Sequence, residues 1–354
     1  MARRDVAVIG AGLYGTSLAC CLAREGLSVA LHERTLPGAG DTGRSFGMIR
    51  RHYSNEVTVR LAKRGCELLQ SDPSSAFVRT GYMLTVGPEQ SHACLANVAL
   101  GRKVGVDTEL LEPDRVAEVE PLISLDGIAA AAYEPDAGVV DAGKLALAWF
   151  AEAVALGVEV HVGEPVAPDA RVTAICAGGW STEMAPEIPV ILRRIEISVH
   201  GEAPVRATVS DAVTNVVTRP VASGGAWVVA YGGDVRYAHR DDCDGRADPA
   251  YEDAVRAALG ERYPSIAGAP RIGVWAGAYD TTPDWNPAFG FLDEERYVVM
   301  GMSGHGLKLA PAVAECAAAQ IAGREPPIDI APLRPQRFAE GDLLHLAYGP
   351  GARA

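Results

Sequence analysis

The chain has 354 residues, of which 48% are hydrophobic and 22% charged, and a formal net charge of −13. That length suggests about two domains, and the composition is that of a soluble globular protein. The acidity argues against nucleic acid or an anionic membrane surface as partners, since both would be repelled, and an anionic substrate would need a local basic pocket. No window is long and apolar enough to span a bilayer. The seven cysteines lack metal-ligand spacing and sit mostly in apolar contexts, so they read as buried thiols of a reducing, cytoplasmic setting with no metal site.

The first predicted element is the apolar run Val6-Ala7-Val8-Ile9, of strand type. Gly10-Ala11-Gly12-Leu13-Tyr14-Gly15 follows it and opens an apolar helical pattern from Thr16 to Ala23. A second strand pattern, Ser28 to His32, ends at Glu33. Strand, G-x-G-x-x-G, helix, strand and terminal acid in register are the dinucleotide fingerprint. Its glycines allow a tight turn and close backbone approach, the helix N-terminus faces the pyrophosphate, and the acid accepts from a ribose hydroxyl.

A glycine-rich loop runs from Pro37 to Met48 and leads into Ile49-Arg50-Arg51-His52-Tyr53-Ser54-Asn55. Positive charge beside such a loop suits an anion; the alternative for Arg50-Arg51 is a solvated basic face. Ser54 or Asn55 would cap the next helix, with Val57, Leu61, Cys66, Leu68 and Leu69 on its apolar side. Strands are predicted at 81–87 and 128–133, with helices at 91–101 and from Glu112. Asp141 would cap a helix over 143–156 that runs into a strand at 158–162. This return to alternation suggests re-entry into the nucleotide domain. Val172 to Cys176 is a buried-strand pattern that ends in Ala177-Gly178-Gly179-Trp180-Ser181. Small residues at a strand's carboxyl end let a ligand approach, and a plain turn is the alternative. Short alternating runs at 195–199, 214–218 and 226–231 predict an antiparallel sheet and a second domain. A helix near 249–259 precedes the run from Arg271 to Tyr279, and a rigid loop at 280–287 and a strand at 297–302 follow. Ser303-Gly304-His305-Gly306-Leu307-Lys308 then leads to a helix over 312–322, and the Pro- and Arg-rich tail would wrap the surface.

With these pieces in order, the chain resembles the D-amino acid oxidase superfamily of flavoproteins. It is most similar to the sarcosine oxidase and glycine oxidase branch, and especially to the beta-subunit-like members. The resemblance is carried by Gly10–Gly15 with Glu33, the Gly43–Asn55 loop, Ala177–Ser181, Thr282-Pro283-Asp284-Trp285-Asn286-Pro287 and Ser303–Lys308. It implies an α/β (α+β) fold. A Rossmann-like FAD-binding domain would comprise 1–78, 139–186 and 296–340, with an antiparallel-sheet substrate domain over 79–138 and 187–295 and a tail over 341–354.

The resemblance also implies the site. Gly10, Gly12, Leu13, Tyr14 and Gly15 would hold the pyrophosphate, with Glu33 and Arg34 at the adenosine and Val166 against the adenine. Ser45 and Met48 would lie along the phosphates or flavin. Ala177, Gly178 and Trp180 would approach from the second crossover, and Gly304, His305, Gly306, Leu307 and Lys308 would run beside the isoalloxazine. The catalytic set would be Arg50, Arg51, Tyr231, His305 and Lys308, with Arg51 and Lys308 as a carboxylate clamp and Arg50 as the alternate for Arg51. In monomeric sarcosine oxidases a cysteine before the Thr-Pro-Asp loop tethers the flavin. The matching position here is Gly277, so FAD is expected to be non-covalent. Their oxygen-activating lysine corresponds to Val228, so the electron acceptor is open. The implied activity is oxidation of a C–N bond in an amino acid or secondary amine by hydride transfer to flavin N5. The alternatives are an NAD(P)-dependent dehydrogenase and a non-catalytic flavin-binding subunit of a larger assembly; oligomeric state is open.

Overall fold

A computed structural model describes residues 3–164, 169–230 and 234–349. Two sheets organise it. The first has six strands, in the order Ala288–Phe291, Arg296–Met300, Ala170–Ile175, Arg4–Ile9, Val29–Glu33 and Glu159–Val162. All neighbours are parallel except the antiparallel pair Ala288–Phe291 with Arg296–Met300. The central strands carry buried apolar runs, Val6–Ile9 and Val29–Leu31 among them, because helices cover both faces. Ala288–Phe291 was expected in the second domain. Its register with Met300 to Tyr297 instead makes it the edge of the first sheet, since a short turn at 292–295 allows only a hairpin.

Leu13–Arg24, Glu56–Ser71 and Gly306–Ile321 are the main helices against this sheet, and their buried faces share one core with it. Asn55, one of the two expected caps, accepts from the Thr58 N–H at 3.0 Å and starts the second of these helices. The third begins six residues before the expected 312. Pro311 reads as a break in sequence, yet it lies inside the helix. There it costs one bond to the carbonyl of Leu307, and burial of nearly every other position holds the helix.

The second sheet has nine strands, among them Ile191–His200, Arg271–Thr281, Gly225–Ala230, Val216–Val221, Thr208–Asp211, Tyr82–Val86 and Ala130–Glu134. It is antiparallel except where Thr208–Asp211 meets Tyr82–Val86 in parallel. That junction joins chain portions far apart in sequence, so no hairpin dictates direction. Alternate residues divide between its faces. Val216, Val228 and Ala230 pack on the helix Pro249–Arg262, while Ile195, Ile197, Val217 and Val229 face the first sheet.

The tail does not merely wrap the surface. The Leu344 N–H donates to the Asp284 carboxylate (3.2 Å), and the Ala347 N–H donates to Ser54 Oγ (3.2 Å). The Tyr348 hydroxyl bonds His52 Nε2 at 2.7 Å. No helix among the described residues is long and apolar enough to cross a membrane.

Candidate functional site

A cavity of about 710 Å³ lies where the carboxyl ends of the first sheet's strands meet the inner face of the second, the usual ligand position in an open α/β sheet. Ile9, Glu33, Cys176 and Val299 line it from below, and Ile195, Ile197, Val217 and Val229 from above.

Its floor is built around glycine. Gly10 has φ +99°, and a Cβ there would lie 2.7 Å from the Cys176 carbonyl oxygen. At Gly15 a Cβ would stand 1.7 Å from the Gly10 carbonyl oxygen, so no other residue fits under the turn. Gly12 caps the first helix without any side-chain bond, and its first turn carries no acid. Its N-terminal N–H groups and dipole therefore meet an anion entering the cavity. The Glu33 carboxylate accepts from the Ala11 N–H (2.9 Å) and the Thr35 N–H (2.8 Å), which fixes it at the cavity wall as an acceptor. Glycine cradle, oriented acid and a helix end met only by the Thr42 hydroxyl at the Leu13 N–H (3.3 Å) suit an extended dinucleotide such as FAD.

Of the expected cofactor residues, Gly10, Gly12, Leu13, Tyr14, Glu33, Arg34, Ser45, Met48, Ala177, Gly178, Trp180, Gly304, Gly306, Leu307 and Lys308 line this cavity. Gly15 lies beneath it under the turn. His305 is fully buried beside it, ring-to-edge with Tyr53 at 5.1 Å. Arg34 is spoken for: it forms a bidentate pair with Asp241 (2.9 and 3.2 Å) and lies 4.5 Å over the Trp180 ring. Val166 and Tyr231 fall outside the described residues.

The cations are arranged differently from the expected clamp. Lys308 is buried on the cavity wall and donates to the Gly304 carbonyl at 3.3 Å. Gly65 sets its position, because a Cβ there would lie 2.0 Å from the Lys308 carbonyl oxygen; glycine lets the two helices meet backbone to backbone. Burial, and then the charge of Arg50, hold the Lys308 ammonium well below its ordinary pKa, and burial with Lys308 and Arg50 does the same to His305. Arg50 is fully buried, its guanidinium 4.3 Å from the Tyr53 ring and 5.5 Å from the Tyr82 ring, and it donates to the His52 carbonyl. Arg51 points elsewhere: its guanidinium donates to the Asp136 carbonyl at 2.8 Å, and it does not line the cavity. Both arginines are buried, so the solvated basic face is excluded. Glu134 accepts from the Arg51 N–H (2.8 Å) in the same neighbourhood, its carboxyl pushed up to about 7 by burial.

Val228 also departs from expectation, because it packs on the far side of the second sheet. Strand alternation turns Val229 toward the cavity and Trp227 toward the same face, so the residue offered there is apolar in either register.

Several wall residues were missed: Asp41, Arg240, Cys243, Tyr279 and Asp280. Asp41 forms a bidentate pair with Arg240 (2.6 Å each) and accepts from the Ala278 N–H (3.0 Å), which locks the glycine-rich loop to the roof. Burial pushes the Asp280 carboxyl up to about 7 against the N–H groups of Gly301 and Met302. The charged run Arg240-Asp241-Asp242 is the signal that could have pointed to them, and nothing in sequence says what it faces.

Gly277 lies on the wall, and a side chain there would start 3.2 Å from Asp41 Oδ1. A cysteine at this tethering position is thus replaced by glycine, and the wall's thiols are Cys176, on the first sheet's side, and Cys243. Acid precipitation is accordingly expected to leave flavin in the supernatant, and colour in the pellet would refute this.

The sequence profile of the family described as FAD dependent oxidoreductase matches residues 5–320. The chain is 26% identical to the sarcosine oxidase subunit beta of Arthrobacter sp., over 96% of this chain and 92% of that protein. A shorter match, 26% identical over 52% of this chain, spans only 24% of the mouse mitochondrial pyruvate dehydrogenase phosphatase regulatory subunit. Among solved structures, L-proline dehydrogenase from P. horikoshii superposes with a TM-score of 0.89 at 24% identity, covering 97% of this chain and 99% of that one.

Proposed function

From the premise that the chain belongs to the FAD dependent oxidoreductase family, we propose that it oxidises the C–N bond of an amino acid or N-alkyl amino acid to an imine, which water then hydrolyses. FAD, when bound, supplies the hydride acceptor. The observation that carries the substrate class is the amine of Lys308, buried on the wall of the cofactor cavity with Arg50 behind it; burial and Arg50 disfavour its charge in the free protein, and an arriving carboxylate favours it. In a protein of net charge −13, such a cluster favours a substrate carboxylate. Lys308 would hold that carboxylate, in place of the Arg51–Lys308 pair expected from sequence. Burial, with Lys308 and Arg50, disfavours the charged form of His305 beside it. The apolar faces of Ile195, Ile197, Val217 and Val229 exclude water above the reacting carbon. The names of the relatives support this reading, since they act on sarcosine and on L-proline.

The same reading gives the first sheet and its helices to the cofactor and the second sheet to the substrate. Its setting is a reducing cytoplasm, supported by seven free thiols.

The test is an anaerobic screen of N-methyl, cyclic and primary amino acids for bleaching of the flavin. Bleaching by NAD(P)H and by no amine would overturn the proposal. When air is admitted to bleached enzyme, reoxidation is expected to be slow, because apolar Val229 faces the cavity from the roof and the roof cation, Arg219, is held over the Trp227 ring. Reoxidation as fast as in efficient oxidases would refute that part and make oxygen the acceptor.

A further inference from the structure

Arg219 differs from three interior arginines that are neutralised in place. Arg240, Arg262 and Arg337 each hold a carboxylate, on Asp41, Asp211 and Asp284. Among the described residues no carboxylate lies within ion-pair distance of Arg219. Its guanidinium lies 3.7 Å over the Trp227 ring and 5.5 Å from the Phe46 ring, and Trp275 stands edge-on to Trp227 at 4.9 Å. This aromatic shelf removes water from one face of the cation without supplying a counter-charge. Nε is buried without a hydrogen-bond partner, and Nη1 reaches only the neighbouring Pro220 carbonyl, at 3.5 Å. Burial lowers the guanidinium to about 10, with Asp141 the opposing influence. That carboxylate is already engaged, accepting from the Lys144 N–H at the start of its helix (3.0 Å).

Arg219 and Trp227 stand directly behind the cavity wall, among residues that line it. Strand alternation puts Arg219 on the same face as Val217, and its cross-strand partner Trp227 on the same face as Val229; both valines line the cavity. Nη2 lies 3.8 Å from where a Gly47 side chain would begin, and Gly47 and Phe46 are also cavity wall. A partly desolvated guanidinium beside a ligand cavity, with donors unused, is completed by an anion arriving with the ligand.

We infer that Arg219 is the recognition residue for a second acidic group on the substrate, so that the favoured substrates are amino acids bearing an anionic group besides the carboxylate held at Lys308. This rests on the amine-oxidising reading above. It is tested with sarcosine and iminodiacetate, which differ by one carboxylate, through anaerobic titration of the flavin spectrum. Wild type is expected to bind iminodiacetate roughly tenfold or more tightly than sarcosine, as one desolvated charge-assisted pair allows. Arg219→Met, which keeps the stem on Trp227, should erase that preference, and Arg219→Lys should keep part of it. A wild type without the preference, an Arg219→Met variant that retains it, or one that loses FAD would overturn the inference. Failure of the amine-oxidising reading looks different. In that case neither compound bleaches the flavin, and binding is then read with glutarate against butyrate as competing probes, where equal affinities would again overturn it.

Discussion

Arg337→Ala is expected to destabilise the protein by about 3–5 kcal/mol, the usual cost of leaving one partner of a buried ion pair alone. Arg337 and Asp284 are both essentially inaccessible, joined by two bonds of 2.9 and 3.0 Å. The same guanidinium donates to the Asn286 carbonyl (2.7 Å) and the Leu333 carbonyl (2.9 Å). Asn286 in turn accepts from Asn55 (3.0 Å) and Thr58 (3.2 Å) at the start of Glu56–Ser71, the helix on which Lys308 rests at Gly65. The loop at 282–287 is therefore a structural clasp, and its effect on the site runs through that helix. Against a typical total stability of about 5–15 kcal/mol, the loss is large.

The pH sense of this pair is fixed. Burial alone would raise the Asp284 carboxyl, but the Arg337 bonds hold it below the ordinary value. The wild-type contribution is thus complete above the unfolded carboxylate pKa and lost as pH falls through the lower folded one. Without Arg337 the carboxyl is pushed up, and the variant should melt at lower urea concentration at pH 8 than at pH 5. Asp284→Leu with Arg337→Met should recover only part of the loss, because the Leu344 and Asn286 N–H groups then lose their acceptor and the Asn286 and Leu333 carbonyls their donor. An Arg337→Ala urea midpoint equal to that of wild type would show the pair to be dispensable.

What the sequence made legible was local. The turn from Ile9 to Gly15 is dictated within ten residues by what fits under the Gly10 carbonyl, and the helix caps at Asn55 and Asp141 by side chains three residues from the N–H groups they accept from. Alternation revealed the roof strands, but not which face each residue would take: one residue of parity separates Val228, against the helix layer, from Val229, in the cavity. The direction of Arg51 depends on where Asp136 comes to lie, and the partner of Arg337 is 53 positions away. Such choices are made by packing between distant segments. Arg219 was invisible for the same reason, since the Trp227 and Phe46 rings that flank it come from other segments.

The second large effect concerns Lys308 and Arg50. Removing one partner from a desolvated charge pair costs about 2–5 kcal/mol, so Lys308→Met should weaken binding of a carboxylated amino acid roughly 30-fold or more. Simple N-methyl amines should bind nearly as before. Arg50→Met should act in the same direction, whereas Arg51→Met should lower stability and leave affinity alone, because its guanidinium serves the Asp136 carbonyl. The pH profile gives an independent signature. In the free protein, burial and then Arg50 hold the Lys308 ammonium well below its usual pKa, with Cys66 and Glu134 opposing. An arriving carboxylate favours the charged amine, so the complex binds more protons than the free enzyme. Affinity is therefore greatest below the free-enzyme pKa of Lys308 and falls as pH rises through it, and in Lys308→Met that fall disappears. Each variant is measured only with its FAD spectrum intact. If Lys308→Met and Arg50→Met keep wild-type affinity for the carboxylated substrate, the carboxylate is held elsewhere; if Arg51→Met alone weakens it, the guanidinium leaves Asp136 to bind substrate and the pair expected from sequence is restored.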